Sequence, residues 1–167
     1  MKYKLSNICS YRSEKINVDN INEHTYISTE NMLPNKAGIT ISSGLPNVNK
    51  VCRFYRGDIL VSNIRPYFKK IWKATFDGGC SNDVLVLSAN DEVNPDYLYY
   101  ILSNDAFFDH STATAKGTKM PRGDKKAIME YMVPDFSFEE QEQIAKILAP
   151  LDEKIALNNK INDNLAA

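Results

Sequence analysis

Gly57-Asp58-Ile59-Leu60-Val61-Ser62-Asn63-Ile64-Arg65-Pro66 is the stretch on which the fold turns. A glycine turn admits an apolar, β-branched run and a proline closes it, which predicts a strand over Asp58–Ile64. The same rhythm continues on both sides. Val51–Tyr55, Ile71–Phe76 and Asp83–Ser88 read as strands, as do His24–Thr29 and Ile39–Ser43 nearer the start. Between them, Pro34-Asn35-Lys36-Ala37-Gly38, Gly44-Leu45-Pro46-Asn47, Arg56-Gly57-Asp58 and Asp77-Gly78-Gly79 read as turns. Val84-Leu85-Val86-Leu87 has no polar alternation, so it is expected to be a central strand buried on both faces.

Helices are expected further along. Asn94 is placed to cap a helix over Pro95–Ser103, with proline at its first position. A second piece covers Asp105–His110, a polar and basic loop follows over Thr112–Lys126, and Ile128–Val133 returns as a strand ended by Pro134. Ser137 and Glu140 form a capping-box pattern that opens a helix. Ile144, Leu148, Leu151, Ile155, Asn158, Asn162 and Leu165 then repeat at alternating spacings of four and three, as in a coiled-coil seam. Pro150 interrupts that pattern, which predicts a bend near Ala149 and two helices, Glu139–Ala149 and Pro150–Ala166. The seam needs a second helix to cover it, either on its own domain or, as its terminal position favours, on a partner.

At 167 residues, with 43% hydrophobic and 25% charged side chains, the chain suits one well-buried domain. It has no apolar run long enough to cross a membrane, and its first residues lack the apolar core of a secretion signal. A cytoplasmic protein with no membrane partner is expected. Cys9, Cys52 and Cys80 are widely spaced and odd in number, and His24 and His110 stand alone, so neither a disulfide framework nor a metal site is expected.

The formal net charge of −1 conceals a strong polarity. Lys50–Lys73 holds seven basic residues against Asp58, and Lys116–Lys126 holds five against Asp124. Twelve of the 20 basic residues thus share these segments with two acids, while the rest of the chain has eight bases and 19 acids. Clustered lysine and arginine displace counterions from phosphates, and Asn, Arg and Lys can bond base edges. Phe54, Tyr55, Tyr67, Phe68 and Trp72 interleave the first segment. Double-stranded DNA is the partner this suggests; a solvated strand face with core aromatics is the plainer reading of the same charges.

Catalytic patterns are weak. Asn94-Pro95-Asp96-Tyr97 approaches an amino-methyltransferase tetrapeptide, but its third residue is Asp and no glycine-rich nucleotide loop accompanies it. Pro134-Asp135 with Asp152-Glu153-Lys154 mimics the metal-dependent PD-(D/E)xK nuclease pattern, yet its second half falls in a predicted helix. A non-catalytic chain is expected.

Three stretches together resemble the specificity subunit of type I restriction-modification systems. They are Gly57–Pro66, the loop Gly117-Thr118-Lys119-Met120-Pro121-Arg122, and Val133-Pro134-Asp135 leading through Glu139-Glu140-Gln141-Glu142-Gln143-Ile144 to Leu151-Asp152-Glu153-Lys154-Ile155. The resemblance implies an α+β fold: a mixed, β-rich target-recognition domain over residues 1–136, then a coiled-coil-type helical spacer and dimerisation region over 137–167. It implies reading one half-site of a two-part DNA target and docking methyltransferase subunits, with the restriction subunit joining the full complex. A single unit implies a half-subunit that homodimerises through its C-terminal helices, or a piece of a longer chain. S-adenosylmethionine, ATP and magnesium would belong to partner subunits only. The DNA-contact residues so suggested are Arg65, Tyr67, Lys69 and Lys70, then Lys116, Thr118, Lys119 and Arg122, with Lys36, Ser42 and Ser43 from polar loops. Lys125 and Lys126 read as ordinary solvated side chains. The docking residues are those of the seam, Ile144 to Leu165. A helical assembly adaptor that does not bind DNA, and less favourably the nuclease, remain the other readings.

Overall fold

The computed structural model describes residues 2–166; Met1 and Ala167, the outer ends of the two expected units, lie outside the described residues. Val84–Ala89 forms the central strand β9 (the strands numbered in chain order below), and Val84, Leu85, Val86 and Leu87 are all buried. Its alternating side chains meet two different cores, which is why the run carries no polar residue. Leu85 and Leu87 pack with Ile59, Val61 and Ile71 against Tyr97, Leu98, Leu102, Phe107 and Phe108 of the helices. Val84 and Val86 pack with Leu60 against Ile27, Phe54 and Cys80 of a second sheet. The layers are therefore helices, sheet and sheet, an α+β architecture.

The strands are β1 (Lys2–Lys4), β2 (Cys9–Tyr11), β3 (Lys15–Asn17), β4 (Tyr26–Ile27), β5 (Lys50–Phe54), β6 (Ile59–Ser62), β7 (Ile71–Lys73), β8 (Gly78–Cys80), β9 and β10 (Met132–Pro134). The central sheet has the order β2-β9-β6-β7 and is antiparallel throughout. The outer sheet has the order β3-β5-β8-β4, with β4 parallel to β8. β1 and β10 pair as a separate ribbon. The helices are α1 (Pro95–Ser103), α2 (Asp105–Ala113), α3 (Lys125–Met129) and α4 (Phe138–Ala166).

Asp58, from the turn before β6, fixes that strand's entry. Its carboxylate accepts from Arg12 Nε at 2.7 Å and Arg12 Nη2 at 2.8 Å, and from the Tyr55 amide at 2.8 Å. With Asp58 only 4% exposed, every lone pair taken this way offsets its desolvation.

Several expectations are corrected. Ile39–Ser43 is not a strand: Ile39 makes one isolated bridge to Met32, and the following loop walls a cleft described below. Asp77-Gly78-Gly79 is not a turn, because Gly78 and Gly79 open β8. A Cβ on Gly79 would lie 2.6 Å from Val51 Cγ2, so the glycine is there for close packing inside a sheet. Ile128–Val133 is not one strand; Asp124 caps the short α3 by accepting from Lys126 and Ala127, and only Met132–Pro134 is extended. The second helix runs to Ala113 rather than His110.

Pro150 does not divide the C-terminal helix. α4 is one continuous helix of 29 residues. Proline removes the bond to the Lys146 carbonyl, but both residues are exposed, so that carbonyl can tilt to solvent while the helix continues. The expected capping box is present: Glu140 N donates to Ser137 Oγ at 3.3 Å, and Ser137 N donates to Glu140 Oε2 at 2.8 Å. Gln141, buried, ties the base of α4 to the domain. Its Oε1 accepts from the Asn94 amide at 3.0 Å and its Nε2 donates to the Phe136 carbonyl at 2.9 Å. Among the described residues no helix is long and apolar enough to cross a membrane.

Candidate nucleic-acid interface

The two basic segments, some 50 positions apart in sequence, are stitched edge to edge. Arg65 N donates to the Pro121 carbonyl at 2.8 Å, Gly123 N to the Asn63 carbonyl at 3.0 Å, and Ile64 bridges Arg122. Lys116 and Arg122 exchange backbone bonds of 2.8 and 2.9 Å, closing the loop between them; Gly117, at φ +96°, makes its turn possible. Thr118, Lys119 and Met120 stand exposed at its tip.

A short 3-10 turn, Pro66–Phe68, follows β6 and is flanked by Arg65 and Lys69, both left-handed at φ 49° and 52°. Asn35 and Lys36, also left-handed, dock on this turn through amides donating to the Phe68 and Lys69 carbonyls at 2.8 and 2.9 Å. These are all four of the described non-glycine residues with positive φ. Such strain persists only where surrounding bonds hold it, and here it presents Tyr67 and Phe68, 47% and 40% exposed, with ring centres 4.9 Å apart.

Beside this turn lies a cleft of about 780 Å³. Arg65, Lys70 and Arg122 line it together with Ser42 and Ser43, so five of the residues picked from sequence converge there. Arg65 Nε is buried without a partner. Arg122 reaches Asp83 with Nε–Oδ1 and Nη2–Oδ2 distances of 3.1 and 3.4 Å. Lys70 donates to the Thr29 carbonyl at 2.6 Å, and burial lowers its pKa against the opposing pull of Glu30. Ser42 is buried and spends its hydroxyl on the Gly44 carbonyl at 2.8 Å, whereas Ser43 is exposed.

The remaining picks sit outside the cleft. Lys36 and Lys69 share Asp105, at 2.7 and 3.0 Å, and those two contacts, Lys36 first, hold the Asp105 carboxyl below its ordinary range. Tyr67 stands on the same shoulder. Lys116 pairs with Asp124 at 2.5 Å, and Thr118 and Lys119 project from the loop tip. Sequence reasoning named Phe68 as an interleaving aromatic but missed Met120 and Leu45 as exposed apolar members of the cleft wall, and missed Asp83, which holds Arg122, and Asp105, which holds Lys36 and Lys69 outside the cleft. Tyr67 and Phe68 in the Arg65–Lys70 run were the signal in the sequence for this rim.

The catalytic patterns find other uses. Asn94 Oδ1 accepts from Asp96 and Tyr97 amides as the α1 cap. Asp135 precedes α4 while Asp152 lies about 21 Å along it by helical rise, and no cluster of three or more metal-ligating side chains occurs among the described residues. His24 is exposed, and His110 Nε2 bonds the Ala127 carbonyl at 2.8 Å.

Along α4 the seam changes character. Ile144 packs on the domain core and Leu148 is half-buried beside it. Leu151, Ile155, Asn158, Asn162 and Leu165 continue the same face into solvent, with Leu151 and Ile155 each more than half exposed. The domain covers the start of the stripe and leaves the rest open.

Helices, two stacked sheets and a cleft lined by arginine and lysine make up an α+β domain with a long terminal helix. The chain belongs to the family described as the type I restriction modification DNA specificity domain, whose model matches residues 1–167. It is 33% identical over 93 residues to the type I restriction enzyme EcoDI specificity subunit of Escherichia coli, covering 56% of this chain and 20% of that protein. Its fold is similar to the HsdS subunit from Thermoanaerobacter tengcongensis, with a TM-score of 0.71 at 19% identity, over 99% of this chain and 45% of that one. The type I restriction-modification S subunit from M. genitalium gives 0.65 at 20% identity, over 98% and 44%. The chain therefore spans less than half the length of these relatives.

Proposed function

We propose that this chain is the reading unit for one half-site of a two-part DNA target, within a type I restriction-modification specificity subunit. The observation that carries the reading is the convergence of Arg65, Lys70 and Arg122 from two distant basic segments on one cleft. Arginine can bond a guanine edge bidentately, a contact worth about 1–3 kcal/mol of discrimination. Phe68 and Met120 offer apolar surface for a thymine methyl, and Lys119 and Thr118 suit phosphates. Lys36, Lys69, Lys116 and Arg122 are held by carboxylates and must exchange partners before they can contact DNA. The open part of α4 takes a second helix, from another copy or from a second unit of a longer chain, and docks the methyltransferase subunits. Methyl transfer and cleavage then belong to partner subunits, with their S-adenosylmethionine, ATP and magnesium, and the work is cytoplasmic.

The test is a methylation map. The chain is co-expressed with its neighbouring methyltransferase subunit in a host lacking adenine methylation, and N6-methyladenine is located by sequencing. A two-part motif supports the reading, palindromic if two copies pair and asymmetric if a different reader completes the complex. Arg65→Ala and Arg122→Ala are each expected to weaken binding of that site by about tenfold or more while relaxing one base position. An active, soluble complex with no motif overturns the proposal.

A further inference from the structure

β5 and β8 are antiparallel, with Cys52 directly opposite Cys80. Gly79 and Ser81 send their amides to the Thr25 and Ile27 carbonyls on the β4 side, so Cys80 turns its own backbone toward β5. Directly opposed residues of this kind lie about 5.5 Å apart between Cα atoms, inside the roughly 4.4–6.8 Å that disulfides span. Their side chains leave the sheet on the same face, and both contribute to the core between the sheets.

Their surroundings differ in a way that gives each a role. Cys80 and Cys9 are sealed, at 0% and 2% exposure, while Cys52, buried but at 9%, borders a second pocket of about 240 Å³ together with Arg12, Lys15 and Lys125. The neighbouring Cys80 thiol does most to lower the Cys52 pKa, and Lys15, Lys125 and Arg12 act in the same direction against the opposing effect of burial; Cys80 is raised in turn. Cys9, with no such company, is pushed up to about 12 by burial. A thiolate reached through a cationic pocket, with a second thiol beside it, is the arrangement that selective thiol oxidation requires.

We propose that Cys52 and Cys80 are a hydroperoxide-sensitive pair, Cys52 being the sulfur attacked and Cys80 the thiol that resolves it. The Cys52 thiolate attacks one oxygen of hydrogen peroxide; an S–O bond forms, the O–O bond breaks, and the released hydroxide takes a proton to become water. The Cys80 sulfur then attacks the sulfenic acid; the S–S bond forms, the S–O bond breaks, and the leaving hydroxide carries off the thiol proton as water. Two electrons pass from the sulfurs to the peroxide, and a small dithiol returns them.

The experiment exposes the full chain to hydrogen peroxide, alkylates the remaining thiols and maps them by mass spectrometry. Two of the three thiols are expected to disappear into a Cys52–Cys80 linkage that dithiothreitol reverses, with Cys9 untouched. Cys80→Ser is expected to leave a Cys52 sulfenic acid that dimedone captures, and Cys52→Ser to abolish the linkage. Lys125→Gln, at an exposed position that leaves both thiols in place, is expected to slow oxidation several-fold even if the cysteine variants fold poorly. Retention of all three thiols, oxidation of Cys9 as fast as Cys52, or a wild-type rate in Lys125→Gln protein overturns the proposal.

Discussion

Asp124 joins three functions in one carboxylate: it pairs with Lys116, and it accepts the Lys126 and Ala127 amides at the head of α3. These contacts, Lys116 first and the two amides after it, hold its pKa near about 2 against an ordinary 3.8. Because the folded value is depressed, the stabilisation is complete above the ordinary value and is lost as pH falls through about 2. NMR titration of the Lys126 and Ala127 amides should therefore show a midpoint near 2, moved upward in Lys116→Ala and absent in Asp124→Asn. An unshifted midpoint near the ordinary aspartate value would contradict the pairing. The same pairing shows why counting lysines overstates the charge offered to a phosphate. Lys36, Lys69, Lys116 and Arg122 all face a carboxylate, and three of the acids involved (Asp83, Asp105 and Asp124) lie outside the segment that carries their partner or at its far end.

At the scale of elements, α4 carries a proline that its geometry tolerates without needing. Pro150→Ala should restore the bond to the Lys146 carbonyl and strengthen the helix by up to about 3 kcal/mol. Hydrogen exchange at the amides around residue 150 should slow accordingly, and unchanged exchange would mean that the ladder is already broken there for another reason. Elements were legible in the sequence where the signal was local. β5, β6 and β9 declare themselves by buried apolar runs, α1 by Asn94-Pro95, and the start of α4 by Ser137 and Glu140. β1, β2 and β3 were not legible, because each is three residues long and mostly polar and exists only through a distant partner, as Lys2 through Pro134 and Lys15 through Cys52. β8 was hidden by glycines that resemble a turn and instead allow close packing. In the interface, the basic segments could be found by counting charges, but their convergence could not, since the Arg65–Pro121 bond joins residues far apart in the chain. The left-handed Lys36 and Lys69 left no mark in composition at all.

On the scale of the whole molecule, the open half of α4 leaves Leu151, Ile155 and Leu165 uncovered. Burying one leucine or isoleucine is worth about 1.5–3 kcal/mol, so Leu151→Ser with Ile155→Ser should remove several kcal/mol from any pairing along that face. Sedimentation or light scattering should then show loss of association, while the thermal unfolding of the domain stays put, because both side chains are already more than half exposed. A fall in the domain's own stability would place the two residues on its core instead. The anchoring of Gln141 between the Asn94 amide and the Phe136 carbonyl has a mechanical consequence here. From that anchor to Ala166 the helix extends about 37 Å, so a tilt of about 5° at the base swings the tip by about 3.2 Å. The two hydrogen bonds of Gln141, with buried Ala145 and the packed Ile144 beside them, thus act as the stop on a long lever whose far end magnifies any play at its hinge.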